Sequence, residues 1–254
     1  MGAGRLKVLV TGATDGLGRG VAAELRRRGA EVLVHGRSAE RAEAVASEIG
    51  AAGVHVADFA SLAQVRALAD ELPPVDVLVN NAGVIERERQ VTEDGYELTF
   101  QVNHLSHFLL TLRLLERNAP RRVVNVASAG QARPDFDDLM LEHGYEPWRA
   151  YRQSKLAQIM FAFELAERAP AGVTSDALHP ATFMDTDMVR QIRGPGSAQS
   201  TVAEGADAVM HLIDTPGTGR YFDGQEEAAA DPQAYDADAR KRLWQLSEEL
   251  CGTA

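Results

Sequence analysis

The amino-acid sequence predicts an α/β fold: a doubly wound parallel sheet of about seven strands with helices on both faces. Three observations carry the prediction. Short apolar runs alternate with helix-length amphipathic stretches along the chain. The short runs are apolar throughout rather than on every second residue, the pattern of strands covered on both sides. A glycine-rich turn, Thr11 to Gly18, follows the first run and opens the first helical pattern.

Taken in order, Leu6 to Val10 reads as the first strand. Leu17, Val21 and Leu25 recur at helical spacing as far as Arg26-Arg27-Arg28-Gly29, where basic residues suit the helix dipole and a glycine ends the helix. Glu31 to His35 is the second strand, Ala39 to Ile49 a charged helix, and Val54 to Val56 the third strand. Ser61 to Leu72 is helical and stops before Pro73-Pro74; Val75 to Val79 is the fourth strand. Two longer helical patterns follow, about Gly95 to Asn118, with a break, and Tyr151 to Arg168. Between them Val123 to Val126 forms the fifth strand, and Thr174 to Leu178 and Gly219 to Phe222 supply the sixth and seventh. Asp236 to Leu250 is a short amphipathic helix. No repeat or low-complexity linker divides residues 1–254, which read as one domain.

Composition narrows the function. The 254 residues carry a net charge of −11, the wrong sign for a phosphate-backbone binder, so no nucleic-acid partner is expected. One cysteine, Cys251, excludes an internal disulfide framework and fits a reducing compartment. No uncharged apolar run approaches the length of a membrane helix. Met1 to Arg5 leads almost directly into the first strand and leaves no room for a signal peptide. The expectation is a cytoplasmic protein without a membrane anchor.

Ligands of doubly wound folds bind at the carboxyl ends of the strands. The first such place is Thr11-Gly12-Ala13-Thr14-Asp15-Gly16-Leu17-Gly18. Glycines there allow backbone to approach a pyrophosphate, and the helix start offers free N–H groups and a positive dipole end. The spacing is TGxxxGxG rather than GxGxxG. The second strand ends Gly36-Arg37-Ser38 with no acid before Glu40. An acid there would bind the ribose hydroxyls of NAD(H); its absence, with the donor fork of Arg37 and the hydroxyl of Ser38, favours NADP(H), with NAD(H) as the second possibility. Asp58, with Phe59 beside it, either takes a bond from the adenine amino group or caps a turn.

Further polar positions fall after the fourth and fifth strands or on the next helices: Asn80-Asn81-Ala82-Gly83, Asn103 within an apolar helix, Ser128, and Tyr151 with Lys155 one helical turn on. The amide of Asn103 either stitches backbone groups together or holds a water. A phenol is a poor proton shuttle at neutral pH, but a nearby ammonium favours the phenolate and lowers its pKa. Tyr151 then becomes a general acid or base, with Ser128 orienting the same substrate oxygen.

In these motifs together the sequence resembles the short-chain dehydrogenase/reductase family, in its single-domain, Rossmann-type branch. Glu97 to Thr111 and Gly219 to Leu250 resemble the retinol-dehydrogenase-like and WW-domain-oxidoreductase-like group in particular. The resemblance implies an NADP(H)-dependent oxidoreductase interconverting a carbonyl and an alcohol. Asn103, Ser128, Tyr151 and Lys155 become the catalytic tetrad. Tyr151 protonates the carbonyl oxygen, Lys155 also binds the nicotinamide ribose, and Asn103 holds a relay water. Thr11, Gly12, Thr14, Asp15, Gly16, Leu17, Gly18, Arg37, Ser38, Asp58, Phe59, Asn81, Ala82, Gly83, Tyr151, Lys155 and Pro180 become cofactor contacts. The family's usual Pro-Gly is Pro180-Ala181 here, so Thr182 and Thr186 both remain candidates for the nicotinamide amide. The rivals are a family member reducing a C=C bond and a non-catalytic nucleotide-sensing or scaffold protein; retention of both Tyr151 and Lys155 favours an enzyme.

Residues 84–91, 131–149 and 182–200 are the expected substrate loops, the last with a lid over Met188 to Ser200. His104 and His107 share a helix face, but no acid or cysteine completes a metal site at recognisable spacing, so they read as packing or interface residues and no metal is expected. The long helices around Leu105–Leu115 and Tyr151–Phe163 are apolar around much of their circumference. That excess suggests a homodimer or homotetramer, unless a loop or another helix of the chain covers it.

Overall fold

The computed structural model describes residues 5–253; the lead-in read over Met1 to Gly4 lies outside them. Eight strands, β1 (Lys7–Val10), β2 (Glu31–Gly36), β3 (Gly53–Val56), β4 (Val77–Asn80), β5 (Arg122–Val126), β6 (Thr174–His179), β7 (Tyr221–Asp223) and β8 (Glu226–Ala228), form one sheet in the order β3-β2-β1-β4-β5-β6-β7-β8. Seven pair in parallel and β8 pairs antiparallel with β7. The order reverses between β1 and β4, where Val10 lies opposite Val79. This is the switch point at which doubly wound sheets bind their ligands.

Helices α1 (Gly16–Arg27), α2 (Ala39–Ile49) and α8 (Val202–Asp214) cover one face with Leu17, Val21, Val45 and Val209 against Val8, Val10 and Val34. Helices α3 (Leu62–Glu71), α5 (Ser106–Asn118), α6 (Pro147–Arg168) and α9 (Ala237–Cys251) cover the other, with Leu68, Leu109 and Ile159 against Leu9, Leu33 and Leu78. Neighbouring residues of β1 thus enter opposite cores, which is why the strand is apolar at every position. Between β4 and α5 lie the single turn α4 (Leu98–Phe100) and a π turn, Gln101–Leu105. No helix among the described residues is long and apolar enough to cross a membrane.

Of the elements that depart from the sequence reading, three have a plain local cause. The strand β8, with exposed Glu226 and Glu227, was not read as a strand; an edge strand with one partner needs no apolar pattern, and acids there block further pairing. Helix α8 is announced by a capping box, Thr201 with Glu204, and was not read as a helix. Helix α6 begins four residues before Tyr151, because Glu146 caps it and Pro147 occupies its first turn.

The apolar excess on α5 and α6 is covered by the same chain. Trp244 of α9 meets Phe108 at 5.0 Å and Phe161 at 5.9 Å between ring centres. Arg240 holds α9 in place through Glu164, at 3.2 Å, and Glu167. A subunit contact through this face would have to displace α9.

Candidate functional site

The glycine loop is tied to the end of β4. Asn81 donates through Nδ2 to the carbonyls of Thr11, at 2.7 Å, and Gly12, at 3.2 Å. A Cβ on Gly18 would stand 2.2 Å from Gly12 O and 2.5 Å from Asn81 Nδ2, so only glycine lets α1 begin this close to the loop. Asp15 caps α1, its Oδ1 accepting from Gly16 N at 2.7 Å. The amides of Leu17 and Gly18 have no intrahelical carbonyl to bond. Free amides, a positive dipole end and a backbone stripped of side chains fit a dinucleotide pyrophosphate.

The residues at the ends of β2 and β3 refine this cradle. Gly36 does not leave open space: a Cβ there would stand 2.4 Å from Thr14 Cγ2, so the glycine lets the loop close onto β2. Arg37 beyond it is exposed, while Ser38 uses its hydroxyl to accept from Arg41 N and cap α2. Asp58 adopts the turn geometry, Oδ1 accepting from Ala60 N at 2.9 Å. Phe59 is buried beneath the loop, its ring 4.5 Å from that of His35.

Two histidines adjoin the loop: His35, which the sequence reading passed over, and His107, which it took for a packing or interface residue. His35 Nδ1 accepts from Gly12 N at 3.2 Å and Nε2 faces Ala57 O at 3.1 Å, so its proton sits on Nε2. Burial pushes its pKa down to about 4. His107 lies 3.0 Å from the Thr11 hydroxyl, and Phe59 stands between the two imidazoles. A polar residue among apolar ones at a strand end, as His35 is, was the available signal.

Ser128, Tyr151, Lys155 and Asn103 are brought together beyond the ends of β4 and β5. Gly83 sits against both Asn103 and Lys155; a Cβ on it would lie 3.3 Å from Asn103 Oδ1 and 3.6 Å from Lys155 Nζ. Asn103 stitches: Oδ1 accepts from Val84 N at 2.8 Å, and Nδ2 donates to Val84 O at 3.0 Å and Ser154 Oγ at 2.9 Å. Both amide protons are therefore spent on protein groups. The Ser128 hydroxyl accepts from Gly130 N at 3.1 Å.

The electrostatics differ from the expected Tyr–Lys pairing. Burial raises the Tyr151 phenol above its ordinary value, and the Ser128 hydroxyl opposes this. Burial pushes Lys155 down to about 7. Its Nζ donates to Val126 O at 3.0 Å and Gln158 Oε1 at 2.8 Å, and lies 5.5 Å from the centre of the Tyr151 ring. Each group is shifted toward its neutral form, because desolvation penalises both charges and the ammonium is turned to other acceptors.

The segment 182–200 crosses the mouth of the site. Pro180 packs toward Gly205 of α8, and Thr182 Oγ1 lies 3.1 Å from His179 Nε2. Thr186 caps helix α7 (Asp187–Arg193) and places its methyl against Gly16. At the other side Arg87 donates to Gln191 O at 2.6 Å, joining the loop after β4. Met188, Val189 and Ile192 are half-exposed on α7, which has no buried residue. Trp148 stands edge-on to Tyr151, with 6.2 Å between ring centres.

A family model described as short chain dehydrogenase matches residues 6–195. Retinol dehydrogenase 14 of Mus musculus is 40% identical, with 96% of this chain and 85% of the relative covered. A crystal structure of an uncharacterized protein from Mycobacterium paratuberculosis superposes with a TM-score of 0.83 at 33% identity, covering 98% of this chain and 94% of the other. The RhlG/NADP active-site complex of Pseudomonas aeruginosa gives a TM-score of 0.69 at 28% identity, covering 87% and 94%.

Proposed function

The chain belongs to the short-chain dehydrogenase/reductase family and is an oxidoreductase of that kind, and from that premise we propose that it interconverts a carbonyl and an alcohol with NADP(H) as the hydride carrier. The observation that carries the reading is the meeting of Tyr151, Ser128 and Lys155 beside a glycine cradle suited to a dinucleotide. The preference for NADP(H) is supported by exposed Arg37 and by the lack of an acid at Gly36. It is supported also by the NADP named in the Pseudomonas aeruginosa neighbour.

When bound, the nicotinamide supplies or accepts the hydride. Tyr151 gives its proton to the oxygen of the carbonyl as the alcohol forms and recovers it in the reverse direction. Ser128 orients that oxygen from the strand end. Lys155 holds the nicotinamide ribose and, once its ammonium turns toward the phenol, lowers the phenol's pKa. Asn103 keeps the loop at Val84 fixed to α6, so the donors stay aligned with the substrate.

The substrate we infer has an apolar body around its oxygen. Retinol dehydrogenase is named for an apolar alcohol, and Trp148, Met188, Val189 and Ile192 offer apolar surface near the phenol and on α7. Purified protein given NADPH and a panel of apolar aldehydes and ketones should oxidise the cofactor. Absence of turnover across the panel, and with the matching alcohols and NADP+, would reject the reading.

A further inference from the structure

We propose that His107 is a positioning residue, a neutral imidazole protonated on Nδ1 that ties the cofactor loop to the helix bearing Tyr151 and Lys155. The inference rests on the reading of those groups as cofactor and proton sites and adds the connection between them.

The tautomer follows from the partners. His107 is fully buried, and its Nδ1 lies 2.9 Å from Asn103 O, which has no proton to give. Nδ1 therefore carries the hydrogen. Nε2 lies 3.0 Å from Thr11 Oγ1. That hydroxyl already accepts from Asn81 N at 2.8 Å and from Ala82 N at 3.0 Å, which fills both lone pairs. Its single proton has two acceptors in reach. Val79 O, at 3.2 Å, is engaged by the Thr11 amide, which leaves Nε2 the better one. A proton on Nε2 would put a charge in the core and face it toward a hydroxyl with no lone pair left. Lys155, His35 and His104 all disfavour that charge, and burial pushes the pKa down to about 3.

The bonds form one string. Thr11 donates to His107, His107 donates to Asn103 O, Asn103 Nδ2 donates to Ser154 Oγ at 2.9 Å, and Ser154 donates to Tyr151 O at 2.7 Å. The string starts on the residue that opens the glycine loop and ends on the turn that carries the phenol. It passes through the π turn, where Ser106 N reaches back to Gln101 O and the regular ladder is relaxed. An apolar side chain at 107 could fill the volume next to Phe59, but it would leave the Thr11 proton and the Asn103 carbonyl without this link.

Three variants separate linkage from packing. His107→Asn keeps a donor near the Nδ1 position and drops the bond to Thr11. His107→Gln keeps an acceptor reaching toward Thr11 and drops the bond to Asn103 O. His107→Leu drops both. The Asn variant should weaken NADPH binding roughly 5–10-fold, the worth of one hydrogen bond, with kcat at saturating cofactor nearly unchanged. The Gln variant should show the reverse split, and the Leu variant both losses. Equal losses in all three, or wild-type values in all three, would overturn the proposal. Nitrogen NMR of the histidine-labelled wild-type protein reads the tautomer whether or not the variants fold. Nδ1–H without titration between about pH 5 and 8 supports the assignment, and Nε2–H or a transition near ~6.5 refutes it. A wild-type chain that binds no nicotinamide cofactor would reject the functional reading instead, while leaving the tautomer to stand or fall on the spectrum.

Discussion

Replacing Lys155 with methionine should stabilise the cofactor-free protein at low pH while removing its activity. Lys155 is 4% exposed, and burial brings its pKa from 10.5 to about 7. That fall corresponds to about 5 kcal/mol against folding when the lysine is charged in both states. Methionine keeps the length and loses the charge, but leaves Val126 O and Gln158 Oε1 without their donor. Each acceptor left unpaired costs about 1–3 kcal/mol; at about 1.5 kcal/mol for each of the two, the net gain at about pH 6 is on the order of 2 kcal/mol. The sign changes with pH. Between the folded value of about 7 and the unfolded value of 10.5, the unfolded chain holds a proton that the folded chain has released. Wild-type stability therefore rises through that window, and the full cost of the lysine is felt below it. By about pH 10 the advantage of methionine should have fallen by about 4 kcal/mol and reversed. Urea denaturation of both proteins at the two pH values reads this directly. A difference between them that stays flat with pH would show that Lys155 is not held in a desolvated site.

Arg37→Ala should weaken NADPH binding roughly 10–150-fold, the worth of one charge-assisted bond, and leave NADH nearly untouched; titration at low salt checks this, and equal affinities in the wild type would reduce Arg37 to a surface residue. Gly36→Asp would supply the missing acid, but its Cβ would strike Thr14, so lower thermal stability is expected before any change in cofactor preference. Arg87→Ala should speed amide exchange over 188–200, because the bond to Gln191 O fastens α7 across the site; unchanged exchange, with and without ligands, would deny the segment a lid role. Sedimentation at micromolar concentration should give a 27.5 kDa species, since α9 already covers α5 and α6, and a species of twice that mass would locate a subunit interface elsewhere.

The parts of the candidate site that were legible have local signals. The glycines of 11–18 and the pair Tyr151 and Lys155 each state their chemistry within one turn of chain. Strands such as β1 and β4 were legible because burial on both faces leaves each as an almost unbroken apolar run. Three-dimensional neighbours were not legible. That Thr14 fills the space over Gly36 and that α9 covers α5 and α6 depend on contacts far apart in sequence. So does the direction of the Tyr151 shift: spacing puts an ammonium one turn away, but only the fold turns Lys155 Nζ toward Val126 O and Gln158. His107 read from the sequence as a packing or interface residue. Its partners, Thr11 and Asn103, come from a strand end and a distorted helical turn that no periodicity joins.

In the proposed function Tyr151 transfers the proton while the glycine cradle and Arg37 hold the cofactor. Comparing wild type with Tyr151→Phe tests it most directly, with NADPH affinity and kcat measured on the same carbonyl substrate. Phenylalanine keeps the ring against Trp148 and Lys155 and removes only the hydroxyl. The expected result is unchanged cofactor affinity and a kcat lowered roughly 10²–10⁴-fold, the usual worth of a positioned acid. A variant that turns over at a rate near the wild type would contradict it.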